Sequence, residues 1–182
     1  QVGRLVHRIA AVVFIGVPLI GMLINPKAVA HKVKEYFEAW TPEDKEFMKK
    51  FLPYLFAPKK IHMPNQDRYK SGQKVADLMV IFFYILISIS GAFMWIGVSP
   101  TLDVEFSQGL MRFMYFLHDG SFVALGVLLL AHIYIGAGIF QPYRGSARIM
   151  FGDGKISEAD ARYHWGFWAE EEIKDGKNVS EG

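Results

Sequence analysis

Three of the six histidines lie within long apolar stretches of the chain, where an ionisable side chain is costly and usually has a function. His118 and His132 are 14 residues apart in one such stretch. In an α-helix this separation is about 21 Å along the axis and about 40° in azimuth, so one helix face carries both imidazoles at two membrane depths. Neutral imidazoles at two depths are the ligands that two b-type haems require. The pattern therefore predicts bis-histidine ligation of haem iron.

His7 and His118 are predicted to be the axial ligands of an outer haem. His7 begins its own apolar stretch, at about the depth expected for His118, so the two imidazoles can face one iron from two helices. His132 then needs a partner for an inner haem. The candidates are His31, His62, His164 and a histidine on a helix upstream of this sequence. Because His62 and His164 lie in polar connections, a solvated surface position is the simpler interpretation for both.

Three arginines lie toward the same outer end as these two histidines, namely Arg4, Arg8 and Arg112. Guanidinium groups pair well with carboxylates, so the three arginines are predicted to bind the propionates of the outer haem. The alternative is that each side chain extends to lipid phosphates.

The composition excludes several other kinds of site. The chain of 182 residues contains no cysteine, which rules out disulfides, cysteine-ligated zinc, iron–sulfur clusters and covalently attached c-type haem within it. Hydrophobic residues make up 52% and charged residues only 21%, which is typical of a membrane protein. The net charge of +2, from 20 basic and 18 acidic residues, is too small to indicate nucleic acid as a partner.

Three apolar runs must position the histidines, and they cover residues 5–24, 75–98 and 110–140. Each is long enough for a helix to cross the hydrocarbon core of a bilayer, which takes about 20 residues. The fold class predicted is therefore an all-α membrane protein with three visible transmembrane helices. Residues 1–150 form the transmembrane domain that carries the predicted haems, and residues 151–182 form a polar tail.

The distribution of basic residues predicts the orientation of these helices. The connection of residues 25–74 contains eleven Lys and Arg residues and is predicted to be cytoplasmic, as is the C-terminal tail. Within this connection, Thr41 followed by Pro42, Glu43 and Asp44 predicts the start of an amphipathic helix at the membrane interface. Pro53 is expected to bend that helix or end it early.

Four segments resemble the cytochrome b (gamma) subunit of membrane-bound formate dehydrogenases. They are GRLVH with His7, RYKSGQK from Arg68 to Lys74, the His118 to His132 spacing followed by IYIGAG, and GKISEADARYHWGFWAEEE from Gly154. The resemblance implies a four-helix bundle with two haems b, in which this chain supplies the second to fourth helices. The family's first helix, absent here, would bring the second ligand of the inner haem. His7 and His118 correspond to the outer-haem pair, and His132 to one inner-haem ligand.

The resemblance also implies a quinone site near the cytoplasmic haem. Lys70 stands where the family usually has Asn, whereas Gly72 and Gln73 match its pattern, so Gln73 and Lys70 are the candidates for hydrogen bonds to a quinone. The tail segment Tyr163, His164 and Trp165 stands where the family usually has His-His-Pro. Without the family resemblance, the polar segment Gly72–Gln73–Lys74 is equally consistent with an ordinary helix start.

Together these features predict an electron-transfer subunit in a bacterial inner membrane. Electrons would enter from an extracytoplasmic iron–sulfur subunit, which is attached to a catalytic oxidoreductase subunit, and would pass through two haems b to a quinone. The formate site itself is not expected in this chain. The alternatives are the cytochrome b of a hydrogenase or of a thiosulfate or tetrathionate-type reductase, and a haem-free membrane anchor or transporter whose histidines relay protons.

Overall fold

A computed structural model describes residues 2–37, 40–140, 143, 146–176 and 179, and all of the regular secondary structure in this part of the chain is helical. The helices are α1 (Val2–Ile24), α2 (Pro26–Phe37), α3 (Pro42–Phe56), α4 (Ser71–Gly97), α5 (Gln108–Gly136), α6 (Ala147–Phe151), α7 (Glu158–His164) and α8 (Gly166–Asp175). The predicted all-α class is confirmed.

Three of the described helices, α1, α4 and α5, are long and apolar enough to cross a membrane, with 23, 27 and 29 residues. They match the three predicted spans, with starts two to four residues earlier than the apolar runs indicated. The helix α5 ends at Gly136, before the predicted end at residue 140. The chain leaves the helix there, and Gly138 takes a left-handed conformation with φ of 71° that favours glycine.

The chain divides into two compact units. The first consists of Gln1–Glu38 with Val80–Leu125, and the second of Ala39–Met79 with Gly126–Gly182. His7 and His118 belong to the first unit, whereas Lys70 and His132 belong to the second.

In the first unit, Tyr84 of α4 compensates for a proline inside α1. Pro18 has no backbone N–H, so the carbonyl of Phe14, four residues earlier, loses its helical donor. The hydroxyl of Tyr84 donates to this carbonyl at 3.0 Å. An unpaired carbonyl is expensive in a hydrocarbon environment, so this bond both satisfies α1 and ties it to α4.

The helix α2 lies in the connection before Thr41 and was not predicted from the sequence. The side chain of Asn25 accepts a hydrogen bond from the backbone N–H of Ala28 at 3.2 Å, and Pro26 occupies the first helical position. This is a standard helix start.

In the second unit, the predicted amphipathic helix α3 begins as expected. Thr41 and Asp44 form a reciprocal capping box, and Asp44 also accepts a hydrogen bond of 2.5 Å from the hydroxyl of Ser71 at the start of α4. Of the two expectations for Pro53, a bend or an early end, the early end was wrong, since α3 continues to Phe56.

Candidate haem and quinone sites

The ring of His118 is oriented by the neighbouring helix α4. Its Nδ1 atom lies 3.1 Å from the backbone carbonyl oxygen of Ile87 and 3.2 Å from Oγ of Ser90. A carbonyl oxygen can only accept, so the bond to Ile87 requires the proton on Nδ1. That tautomer leaves Nε2 with a free lone pair, as a metal ligand requires.

Gly91 provides the space that this orientation needs. A Cβ atom added at Gly91 would lie 3.1 Å from Cε1 of His118 and 3.4 Å from its Nδ1. Nine in ten real Cβ contacts are longer than 3.4 Å, so even alanine would push against the imidazole. The glycine therefore lets the His118 ring reach the backbone of α4.

His7 of α1 faces His118, as predicted. Their ring centroids are 6.1 Å apart and their planes are inclined at 79°. Two imidazoles bound on opposite sides of one metal ion, with metal–nitrogen bonds of about 2 Å each, have centroids about 6 Å apart. The observed separation thus agrees with the requirement for a shared iron.

A cavity of about 890 Å³ adjoins these two rings, and His7, His118, Arg4 and Arg8 are among the residues that line it. Its size is in the upper range for cofactor sites. The guanidinium of Arg8 lies 5.2 Å from the ring centre of Trp95, another lining residue. The cavity is apolar along most of its wall and cationic where the two arginines contribute.

Arg112 is placed differently from the other two arginines. It is exposed on α5 and is not one of the residues that line the cavity. The structure therefore brings two of the three predicted propionate partners, Arg4 and Arg8, to the histidine pair.

The residues around the cavity fit a haem group. Ser88 lines the cavity, and its buried Oγ atom has no hydrogen-bond partner among the described residues. A buried hydroxyl without a hydrogen-bond partner is unusual in a folded protein, and a polar substituent of a cofactor can supply that partner. The paired imidazoles, the apolar wall and the two cations match the iron, macrocycle and propionates of a haem.

His132 lies in α5 within the second unit and is exposed. In the part of the chain that the structure describes, its ring makes no hydrogen bond or ring contact. His31 lies in α2, where Nε2 is 3.4 Å from a carboxylate oxygen of Glu35, and His62 is exposed in the connection before α4.

A second cluster surrounds Lys70, at the entrance to α4. The side chain is buried, with 7% of its surface exposed, and Nζ donates to the hydroxyl of Tyr143 at 2.8 Å. Nζ also lies 3.4 Å from Nδ1 of His164 and 4.3 Å from the ring centres of both Tyr143 and Trp165. We call Lys70, Tyr143, His164 and Trp165 the Lys70 cluster.

The Lys70 cluster changes the acid–base properties of its members. Burial lowers the pKa of Lys70 to about 7, since the charged form loses its hydration. Burial, together with the neighbouring Tyr163, raises the pKa of Tyr143 to about 12. Among the described residues, no carboxylate forms an ion pair with Lys70. Within the described residues, the ammonium group contacts a hydroxyl, an imidazole and two aromatic faces.

Gln73, the other predicted quinone residue, lies in the first turn of α4 and is exposed. It makes no hydrogen bond to the described members of the Lys70 cluster.

Tyr143 was not predicted from the sequence, and neither was the contact of His164 with Lys70, which is 94 residues away. The interpretation of His164 as a solvated surface residue was incomplete, because its half-buried ring stacks on Tyr143 with centroids 4.5 Å apart.

A helical membrane protein in which two histidines face each other beside an apolar cavity has the architecture of a b-type cytochrome. Residues 1–153 match the family described as prokaryotic cytochrome b561, and the chain belongs to this family. Membership implies that it binds haem b. The resemblance to formate dehydrogenase cytochrome b subunits is also confirmed.

The relatives include the cytochrome b556(fdo) subunit of formate dehydrogenase from Escherichia coli K12 and its counterparts from strains O6:H1 and O157:H7. Each is 31% identical to this chain over 117 residues, which are 64% of the chain and 52% of the relative. The chain thus spans about half the length of the curated relatives it matches.

Proposed function

We propose that this chain is the membrane cytochrome b subunit of a formate dehydrogenase-type complex. In this role it passes electrons from an extracytoplasmic iron–sulfur subunit, by way of two haems b, to a quinone at the cytoplasmic side of a bacterial inner membrane. The observation that carries the proposal is the His7–His118 pair, with centroids 6.1 Å apart beside the cavity. The names of the relatives supply the type of complex.

The residues of the first unit have separate tasks in this proposal. His7 and His118 hold the outer haem iron, while the Ile87 carbonyl keeps the proton on Nδ1 of His118 and so keeps Nε2 available. Arg4 and Arg8 pair with the propionates. Haem b supplies one-electron transfer, at a potential set by its axial ligands and surroundings.

The residues of the second unit serve the inner haem and the quinone. His132 would supply one ligand of the inner haem iron, and the additional helix that the family resemblance implies would supply the other. Lys70 is the proposed hydrogen-bond donor to the quinone, because it lies directly before the span α4 and carries a buried ammonium group. Gln73, exposed one turn further on, is the second proposed quinone contact. In the first unit, Arg112 remains a proposed partner of the outer-haem propionates, although it does not line the cavity.

The proposed topology places residues 25–74 and the C-terminal tail in the cytoplasm. This orientation follows from the eleven Lys and Arg residues of that connection. Quinone reduction beside Lys70 would then take its protons from the cytoplasm.

A reduced-minus-oxidised absorption spectrum of the purified complex tests the haem assignment. We expect His118→Ala to remove one of two haems b and to stop quinone reduction, and His7→Ala to do the same. His62→Ala, at an exposed histidine, is the matched control and should keep both haems. A full haem content with normal turnover in His118→Ala would refute the assignment. A wild-type complex without a haem b band would favour a haem-free anchor.

A further inference from the structure

The strongest feature that the haem assignment does not explain is the hydrogen-bonded connection between Lys70 and His164. Lys70 is almost fully buried, whereas His164, on α7, is half-buried and so reaches the protein surface. Nζ of Lys70 and Nδ1 of His164 are 3.4 Å apart. A buried amine is thus linked directly to an imidazole that water can reach.

We propose that His164 is the proton-transfer residue that recharges Lys70 during quinone reduction, with Tyr143 as a positioning residue for both. This inference rests on the proposed function, because it assigns a proton route to the quinone site placed there. His164 is 94 residues from Lys70 and belongs to the tail. The tail thereby becomes part of the quinone site.

The surroundings of Lys70 favour transfer over a fixed ion pair. A carboxylate partner would hold the ammonium permanently charged, but the partners here are the hydroxyl of Tyr143, the imidazole of His164 and aromatic faces. Imidazole changes its charge in the physiological range. The burial of Lys70 brings its amine into the same range. The two groups, 3.4 Å apart, are therefore placed to exchange a proton.

Tyr143 holds the geometry without taking part in the exchange. Its hydroxyl accepts from Nζ of Lys70 at 2.8 Å, and its ring stacks on the ring of His164 at an inclination of 24°. Its raised pKa keeps the phenol neutral at the pH where the amine of Lys70 titrates. Among the described residues, two further phenols interact with the Lys70 cluster, Tyr163 on α7 and Tyr54 on α3.

In this proposal, Lys70 delivers both protons of the quinol. Reduction of one quinone to quinol takes two electrons, which the iron–sulfur subunit supplies in the proposed function, and two protons. For each proton, an N–H bond of the Lys70 ammonium breaks as an O–H bond of the quinol forms. The neutral amine then takes a proton from the His164 imidazolium, which is recharged from water. Two such cycles complete the quinol.

The test uses the intact complex with its haem reduced in advance. Reoxidation by a short-chain naphthoquinone is followed by stopped flow in H₂O and D₂O, while a pH-indicator dye records proton uptake from the medium. We expect His164→Ala to slow both signals by about tenfold or more, as is typical when a positioned acid–base group is lost. Added imidazole should restore the rate, and the KM for quinone should change less than about threefold.

Several outcomes separate the relay from the function on which it rests. His62→Ala is the matched control and should leave rate and proton uptake unchanged, and unchanged haem spectra show that the variants are folded. A normal rate in His164→Ala, or a loss that imidazole does not restore, overturns the relay alone. A wild-type complex whose haem is not reoxidised by quinone overturns the proposed function, and the relay with it.

Discussion

The Nδ1 atom of His118 lies 3.1 Å from the backbone carbonyl oxygen of Ile87, on the neighbouring helix α4. A backbone acceptor is present whatever side chain occupies the position. The fold itself therefore fixes the tautomer of His118 and leaves the lone pair of Nε2 available to a metal, as outer hydrogen-bond partners do in metal sites generally.

Replacing Ser90 by alanine tests the contribution of the second Nδ1 partner. Oγ of Ser90 donates to the Leu86 carbonyl at 2.7 Å and lies 3.2 Å from Nδ1 of His118. It can therefore accept a second hydrogen bond from the Nδ1–H group, beside the bond to the Ile87 carbonyl. Its loss makes the imidazole a weaker electron donor. We expect Ser90→Ala to keep the haem but to raise its midpoint potential by about 10–50 mV, where 59 mV corresponds to a factor of ten.

A potentiometric titration of the reduced haem band measures this shift. Ser99→Ala, in the turn after α4, is the control and should leave the potential unchanged. A lower potential in Ser90→Ala would contradict the proposed direction of the hydrogen bond.

Gly91 is predicted to be essential for the outer haem because of its contact with His118. Alanine would place a Cβ atom 3.1 Å from Cε1 of the imidazole and leucine would displace the ring, so we expect partial haem loss in Gly91→Ala and complete loss of the outer haem in Gly91→Leu. Haem content per complex is the measurement. Gly120→Ala is the matched control on α5, since nothing lies within 4 Å of a Cβ atom there. Equal haem content in all three variants would exclude this role for Gly91.

The transmembrane part of the fold was predictable because its signal is local. About 20 apolar residues in a row are sufficient to indicate a span, and the three spans were found. The facing of His7 and His118 was also predictable, since the membrane restricts both residues to one depth. The structure adds the reason for the ring orientation, which depends on Ile87 and Ser90 of a third helix.

The Lys70 cluster was not predictable from local patterns. Tyr143 is 73 residues from Lys70 and His164 is 94 residues away, so only tertiary packing brings them together.

The helix α2 was not predicted for a different reason. Its start signal, Asn25 followed by Pro26, was present in the sequence but lies at the end of an apolar span, where it indicates a turn equally well.

Tyr84 and Pro18 are predicted to be coupled through the carbonyl of Phe14. Tyr84→Phe removes the donor to this carbonyl, which we expect to lower the free energy of unfolding by about 1 kcal/mol. Pro18→Ala restores the helical N–H and should make Tyr84→Phe nearly neutral. A double-mutant cycle by denaturation in detergent measures the coupling. Additive effects of the two substitutions would show that the hydroxyl does not compensate for the proline.

Lys70 is predicted to make the stability of the protein depend on pH. Its pKa is about 7 in the folded protein and near 10.5 when exposed, so between these values the unfolded chain binds more protons than the folded one. Stability therefore rises with pH across this window, by at most about 1.4 kcal/mol per pH unit for one group. Below pH 7, Lys70 is protonated in both the folded and the unfolded protein. The full free-energy cost of burying its charge then lowers the stability of the folded state.

Thermal unfolding between about pH 7 and about pH 9, below the range where the tyrosines of the unfolded chain titrate, measures this dependence. We expect Lys70→Met to flatten the rise and to be more stable than wild type at pH 7, since the buried charge is gone and the side-chain volume is similar. Lys59→Met removes an exposed lysine from the same connection and should keep the wild-type slope. Parallel curves for wild type and Lys70→Met would mean that the ammonium is hydrated, and that the Lys70 cluster holds no buried charge.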